Sequence, residues 1–196
     1  MSSISRSYSY GEAAPDGLYT GTRAQTVQFY PEANVKNGLQ YYIREAWPKA
    51  DPIVSGGTRN LFFKTGGKKV IAKVRIIHYA AEEILLNILT GSDVDESSGS
   101  DISPSNYNLI NPVPTTVVVR KDVTFTGGTP IDNGEYYFGS NANAQRDGNS
   151  IPEGRERIIP PVDDFVITLK NTGSGTARVQ YFLDWYEGEP DLPRPE

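Results

Sequence analysis

The stretch "DFVITLKNTGSGTARVQYFLDWYEG", residues 164–188, contains two runs of alternating apolar residues on either side of a Gly-rich break. Alternation with a period of two is typical of a strand that has one face in a core. We therefore predict two strands that share a core. Their predicted core face consists of alternate apolar residues, namely Phe165, Ile167, Leu169, Ala177, Val179, Tyr181, Leu183 and Trp185.

The same stretch predicts that the two strands pair with each other as a hairpin. Cross-strand partners share a face, so the numbers of two paired residues must sum to an even value. The pairs that satisfy this condition are Leu169–Ala177, Ile167–Val179 and Phe165–Tyr181. This register leaves residues 172–174 as a short loop, with Gly175 free to adopt a left-handed conformation.

The other face of the second strand carries Arg178, Gln180, Phe182, Asp184 and Tyr186. One interpretation is an ordinary solvent face with two aromatic rings under neighbouring loops. The alternative is a contact with a subunit or partner, because aromatic residues and Arg anchor interfaces. On that interpretation Arg178, Phe182 and Tyr186 are the predicted subunit-interface residues.

The rest of the chain from residue 39 onward also favours strands. Nineteen Gly and fourteen Pro supply turns, and twelve Tyr suit half-buried pleated surfaces. Other predicted strands are "LQYYIREAW", "LFFKT", "TTVVVRKDVTFTGG" and "RERIIPP". Polar loops are expected at residues 91–106 and 139–154. Roughly eight strands result, and we predict an all-β fold, an antiparallel jelly-roll-like β-sandwich over residues 39–188.

Residues 68–80 and 81–91 are also predicted to be strands, the second of them against a helical alternative. In "KKVIAKVRIIHYA", residues 68–80, one face is nearly all apolar, so we predict a long half-buried strand with this face in the core. The residues of that face are Val70, Ala72, Val74, Ile76 and His78. "AEEILLNILTG", residues 81–91, fits either a helical stripe or a strand face. We favour a strand because the segment is short, ends at Gly91 and lies between other strands.

The two ends of the chain differ from this domain in composition. Residues 1–38 are small, polar and aromatic, so they form either an unstructured terminus or an arm that orders against a partner. The aromatic residues favour an extended N-terminal arm, whose predicted partner-binding residues are Tyr8, Tyr10, Tyr19, Phe29 and Tyr30. Residues 189–196 form an acidic, Pro-rich tail.

Charge and residue usage oppose several functions. A net charge of −5 argues against a nucleic-acid partner. No run of apolar residues is long enough for a membrane span, and the first residues lack the apolar region of a secretory signal. The chain has no Cys, which excludes disulfides and thiolate metal sites. Its one His, His78, falls in a strand pattern typical of a structural residue.

No motif predicts catalysis or a cofactor. The acidic loop with Asp93, Asp95, Glu96 and Asp101 is either solvated or a weak Ca²⁺ site, but it lacks the order of an EF-hand loop. We predict a protein that is not an enzyme and that holds no metal or cofactor.

The order of strands and turns resembles a family of viral proteins. "NYNLINPVPTTVVVRKDVTFTGGTPI", then a polar loop, then "RERIIPPVDDFVITLKNTGSGTARVQYFLDWYEG" is similar to the head-decoration (cement) and head-fibre proteins of tailed bacteriophages. The resemblance covers roughly residues 60–188 and includes no catalytic residue. It implies a homotrimer on the outer surface of the virion, bound to the major capsid protein and assembled in the host cytoplasm. It also implies that the N-terminal arm, residues 1–38, contacts the capsid, which would make its aromatic residues capsid-binding residues.

Two functions of other classes compete with this expectation. Exposed aromatics stack on sugar rings, so a carbohydrate-binding β-sandwich of a virion fibre or tail could use Trp47 and Trp185. A hydrolase is opposed by the single His and by the absence of a nucleophile motif.

Overall fold

The computed structural model describes residues 35, 37–131, 134–137, 145–148 and 157–188, and thirteen β-strands account for most of them. The strands are β1 Gln40–Trp47, β2 Thr58–Lys64, β3 Val70–Ala80, β4 Ile84–Asp95, β5 Ser100–Ile102, β6 Ser105–Asn106, β7 Val118–Lys121, β8 Thr124–Pro130, β9 Glu135–Tyr137, β10 Gln145–Gly148, β11 Arg157–Ile159, β12 Asp164–Asn171 and β13 Arg178–Glu187. In this part of the chain no helix has the length and apolar character needed to cross a membrane.

The strands form two antiparallel sheets that pack against each other, which confirms the all-β sandwich. Sheet 1 has the order β10-β3-β13-β1-β6, with β11 also paired to β3. Sheet 2 has the order β5-β7-β2-β12-β4-β8, with β9 also paired to β4. One continuous apolar core lies between them and contains residues from both sheets.

The predicted hairpin of β12 and β13 is wrong, although the predicted core faces are confirmed. β12 lies between β2 and β4 in sheet 2, whereas β13 lies between β3 and β1 in sheet 1. Leu169 is paired with Arg59 and Leu86, not with Ala177. Seven of the eight predicted core residues are buried in the core, and Phe165 is partly buried and packs against it. Both strands turn their predicted faces toward the space between the two sheets.

The connection between β12 and β13 is held by hydrogen bonds that a hairpin would not make. Asn171 is fully buried, and its Nδ2 donates to Ile53 O at 2.9 Å and to Gly175 O at 2.8 Å. Gly173 N donates to Asn171 Oδ1 at 2.9 Å. Ala177 then pairs with Ile53 through two backbone hydrogen bonds. These contacts satisfy the turn's polar groups as the chain crosses from one sheet to the other.

A β-bulge interrupts the alternation of β3. Asp184 of β13 is opposite Val74, but the next residue, Trp185, is opposite Ala72. Lys73 is therefore an extra residue without a cross-strand partner on β13. An extra residue in one strand shifts the side-chain alternation on either side of it.

The bulge makes the predicted core face of β3 wrong beyond its first part. Val70 and Ala72 belong to the core as expected, but after the bulge the core residues are Ile77 and Tyr79. Ile76 and His78, which were expected in the core, are only half-buried and lie on the opposite face. The sequence of β3 alone did not show that the core-facing positions change from even to odd numbers at the bulge.

The other strand predictions differ mainly in their ends. The strand interpretation of residues 81–91 is confirmed, but β4 continues through Gly91 to Asp95 and shortens the expected loop 91–106. That loop also contains β5 and β6. The expected loop 139–154 includes a strand, β10, and its other residues lie outside the described part of the chain.

Trp185 lies at the centre of the core. Its ring stacks with Tyr41 at a centroid distance of 6.0 Å and meets Phe63 edge-on at 5.3 Å. Tyr41 and Trp185 come from β1 and β13, which are neighbours in sheet 1, and Phe63 comes from sheet 2. The three rings therefore join the two sheets.

The Tyr41 hydroxyl is a buried polar group that has no hydrogen-bond partner among the described residues. Burial, together with the negative charge of Glu187, raises the pKa of Tyr41 to about 12, so the phenol is neutral.

Tyr41→Phe should therefore leave the free energy of unfolding unchanged or raise it by about 1 kcal/mol, because it removes an unpaired buried hydroxyl and keeps the ring. Urea unfolding of both proteins measures the difference. A loss of stability well beyond the error would mean that the hydroxyl has a partner in solution.

Candidate functional site: an aromatic groove on sheet 1

A groove of about 520 Å³ opens on the outer face of sheet 1, the face that points away from the core. We call it the aromatic groove, and it is lined by Tyr42, Arg44, Asn106, Tyr107, Leu109 and Phe182. Three of these six residues are aromatic and one is a cation. This composition is typical of surfaces that bind a partner or ligand.

The floor of the groove is formed by neighbouring residues of β1 and β13, which the pairing of these two strands brings together. Arg44 is opposite Phe182, and Tyr42 is opposite Asp184. Residues directly opposite each other share a face, and these even-numbered positions alternate with the core residues of both strands. β6 pairs with β1 and so brings the following residue, Tyr107, to the edge of this face.

The aromatic rings of the groove are in mutual contact. Tyr42 lies 4.8 Å from Tyr107 and 5.8 Å from Phe182, measured between ring centroids. The Arg44 guanidinium carbon lies 5.9 Å from the centre of the Phe182 ring, a cation–π distance. The rings thus form one surface with a positive charge beside it.

The rim of the groove is built by a loop with its own hydrogen bonds. Asn106 Nδ2 donates to Gly38 O at 2.8 Å, and Asn108 N donates to Asn106 Oδ1 at 2.7 Å. Ile110 N in turn donates to Asn108 Oδ1 at 3.0 Å. This ordered loop projects Leu109 and Ile110, whose exposed fractions are 88% and 87%.

A buried carboxylate lies next to the groove. Gln40 Nε2 donates to both oxygens of Asp184 at 3.0 and 3.1 Å, and Tyr107 Oη donates to Asp184 at 3.4 Å. Burial raises the pKa of Asp184, although the hydrogen bond from Gln40, the charge of Lys73 and the hydrogen bond from Tyr107 oppose this. Burial and the nearby carboxylate raise the pKa of Tyr107 to about 12.

Asp184→Asn is expected to stabilise the protein at neutral pH. Because the pKa of Asp184 is raised by folding, the folded protein keeps this proton to a higher pH than the unfolded chain does. The protonated carboxyl of Asp184 contributes its full stabilisation below the ordinary pKa of Asp, about 4. That contribution is lost as the pH rises through the raised pKa of the folded protein. Asparagine is neutral throughout, so it avoids the cost of a buried charge, and its amide oxygen can still accept a hydrogen bond from Gln40 Nε2.

We expect a gain of about 1 kcal/mol at pH 7. Urea unfolding between about pH 4 and pH 8 would measure it, and the variant should show a weaker fall in stability above pH 4. A variant that is less stable than the parent at pH 7 would contradict the argument.

The structure separates the three predicted subunit-interface residues. Phe182 lines the aromatic groove, as its position on the outer face predicts. Tyr186 is only 3% exposed, and its ring lies 5.6 Å from the Lys73 ammonium. Arg178 is half-buried and is opposite Ala80 at the other end of β13. Their role in a subunit contact stays a prediction.

The predicted arm falls almost entirely outside the described residues. This applies to all its predicted capsid-binding residues, which are Tyr8, Tyr10, Tyr19, Phe29 and Tyr30. Of the arm, only Val35, Asn37 and Gly38 are described, and they lead directly into β1.

Sequence reasoning missed most of the aromatic groove. Tyr42 and Arg44 stand two residues apart in a predicted strand, so their shared face could have been derived from the alternation. Tyr107 carried no such signal, because it follows a strand of only two residues and its place depends on the fold of the loop.

In the acidic loop, for which a weak Ca²⁺ site was one of two interpretations, two of the carboxylates interact with protein groups. Asp95 accepts hydrogen bonds from Ser97 N at 2.9 Å and Ser97 Oγ at 2.6 Å, and these bonds lower its pKa. Glu96 forms an ion pair with Lys64 at 2.6 Å. Across the described residues, no three His, Cys, Asp or Glu side chains are grouped closely enough to hold a metal ion.

The two tryptophans expected to stack on sugars are in the core. Trp47 and Trp185 are both buried, with exposed fractions of 2% and 0%. They are therefore excluded as surface binding residues.

Comparison with known proteins adds no identification. No protein-family model matches the chain, and a search of curated proteins found no significant relative.

Proposed function

We propose that this chain is a virion structural protein that binds the outer surface of a phage capsid and stabilises the shell. Its partner would be the major capsid protein, and the chain would assemble as a homotrimer. The observation that carries the proposal is the protruding pair Leu109 and Ile110 at the rim of the aromatic groove.

Two adjacent aliphatic side chains in full contact with water are unfavourable, since burying a Leu or Ile side chain gains about 1.5–3 kcal/mol. Hydrogen bonds to the side chains of Asn106 and Asn108 hold the loop in this conformation. The loop therefore keeps both aliphatic side chains in solvent, where a partner could bury them. These protruding side chains are therefore best suited to contact the surface of another protein.

The test is co-sedimentation with capsid shells that lack the protein, together with the melting temperature of the shells. The parent chain should co-sediment and raise that temperature. Ile110→Asp should weaken binding at least tenfold, because it places a charge in the centre of the contact. Val162→Asp is the matched control, since Val162 is also an exposed aliphatic residue but lies on the loop before β12.

If the parent chain neither sediments with shells nor raises their melting temperature, the proposal is wrong. Equal loss of binding by both variants would show that the rim is not the contact. Light scattering tests the homotrimer separately: a monomer both in solution and on shells would exclude it.

A carbohydrate-binding role is the second candidate, and the aromatic groove itself favours it. Tyr42, Tyr107 and Phe182 offer ring faces, while Arg44 and Asn106 add polar groups at the edges. A glycan array would test this role. Binding that is lost in Phe182→Ala, with the fold intact by circular dichroism, would support it, and an array without any binding would exclude it.

A further inference from the structure

The sequence that follows the last described residue has a regular proline pattern. Residues 189–196, "EPDLPRPE", include Pro190, Pro193 and Pro195. A polyproline II helix has three residues per turn, so Pro190 and Pro193 would lie on the same side of it. Segments with this spacing bind grooves that are lined by aromatic residues. The aromatic groove is such a surface.

The tail begins close to the groove. Gly188 N donates to Lys69 O at 3.0 Å, and Glu187 N donates to Leu39 O at 3.1 Å. The tail therefore starts beside Leu39, which precedes β1 and lies three residues before Tyr42. Eight residues in polyproline II conformation span about 25 Å. The distance along β13 from Gly188 back to Asp184, which is opposite Tyr42, is four residue steps or about 13 Å. The tail is long enough to reach and cross the groove.

The charges of the tail and the groove are complementary. Residues 189–196 contain three acidic residues and one basic residue, while Arg44 is the one charged side chain among the described residues that line the groove. Arg44 is exposed and lies beside Phe182. An acidic residue next to a docked proline would therefore approach a cation.

We propose that the aromatic groove binds the Pro-rich tail, residues 189–196, of the same molecule. Pro190 and Pro193 contact the rings of Tyr42, Tyr107 and Phe182, and Arg44 pairs with an acidic residue of the tail. This inference goes beyond the proposed function and does not depend on it, because the proposed shell contact is made by the protruding Leu109 and Ile110, whereas the tail contacts the rings and Arg44 inside the groove.

The absence of Cys from the chain allows a direct test in the full-length protein. Leu109→Cys places a thiol at the rim of the groove, and Leu192→Cys places one in the tail. Under mild oxidation this pair should form a disulfide within one molecule, at least ten times faster than the control pair. Mass spectrometry of proteolytic fragments identifies the bond, and non-reducing electrophoresis separates monomers from linked copies.

The control pair is Val162→Cys with Leu192→Cys. Val162 is 78% exposed, and its amide donates to Gly66 O, three residues from the Lys69 that holds Gly188. Val162 is thus connected to the start of the tail through the short segment from Gly66 to Lys69, and it is not among the residues that line the groove. It serves as an exposed site for comparison. Equal rates for the two pairs would overturn the proposal.

Two further variants in the Leu109–Leu192 cysteine background test the chemistry. Replacing Pro190 and Pro193 by Ser, or Arg44 by Glu, should slow disulfide formation at least threefold. Faster linkage of Phe29→Cys to Leu109→Cys would assign the groove to the N-terminal segment and overturn the proposal. Disulfides formed mainly between two molecules would overturn the proposal, because they would show that the groove binds the tail of a second copy of the chain.

Discussion

Trp185→Ala is expected to lower the free energy of unfolding by about 3–5 kcal/mol, the range for removing a large buried aromatic side chain. Trp185 is fully buried and is the ring through which Tyr41 of sheet 1 contacts Phe63 of sheet 2. Its removal leaves a cavity between the sheets that two central strands cannot close without breaking their pairing. Urea unfolding followed by circular dichroism measures the loss.

Phe182→Ala is the matched control for this prediction. Phe182 is also an aromatic residue of β13, but it lies on the outer face and is only half-buried. Its replacement should cost less than half as much as the loss of Trp185. Equal costs for the two variants would mean that the core does not depend on the ring cluster around Trp185.

Glu187→Ala is expected to lower the free energy of unfolding by about 3 kcal/mol, because it removes a buried charged acceptor from several donors. Glu187 is 1% exposed. Its carboxylate accepts hydrogen bonds from Thr116 N at 3.0 and 3.2 Å, from Thr116 Oγ1 at 2.8 Å and from Thr115 Oγ1. Without it, a backbone amide and two hydroxyls lose their acceptor at the end of β13.

Glu96→Ala provides the comparison, since Glu96 is an exposed acid whose ion pair with Lys64 should contribute about 0–1 kcal/mol. Glu187→Gln should fall between the two, because one amide oxygen can still accept. Thermal or urea unfolding of the three variants orders them, and a Glu187→Ala protein as stable as the Glu96→Ala protein would refute the anchoring role.

The sequence allowed the faces of strands to be predicted, but not their neighbours. Ile167, Leu169, Tyr181 and Trp185 were assigned to the core from alternation alone, because burial of one face imposes a period of two. The same alternation fits a hairpin and a crossing between sheets equally well. The crossing includes a hydrogen bond from buried Asn171 to Ile53, which is more than a hundred residues away and has no signature in sequence.

The candidate site was partly accessible for the same reason. Phe182 was identified because it lies on a strongly patterned strand, whereas the contact of Tyr107 with Tyr42 depends on a loop between sheets. The bulge at Lys73 shows a second limit, since one extra residue changes the phase of the pattern without any change in composition.

The positions of β12 and β13 have a consequence for how the chain folds. The last two described strands are interior strands, with β12 between β2 and β4 and β13 between β3 and β1. Neither sheet can therefore assemble its centre before β12 and β13 have been synthesised. Folding should be slow, because pairing between such distant segments carries a large loop-closure cost. During synthesis, the unpaired edges of β1 to β4 would be the segments most in need of chaperone protection.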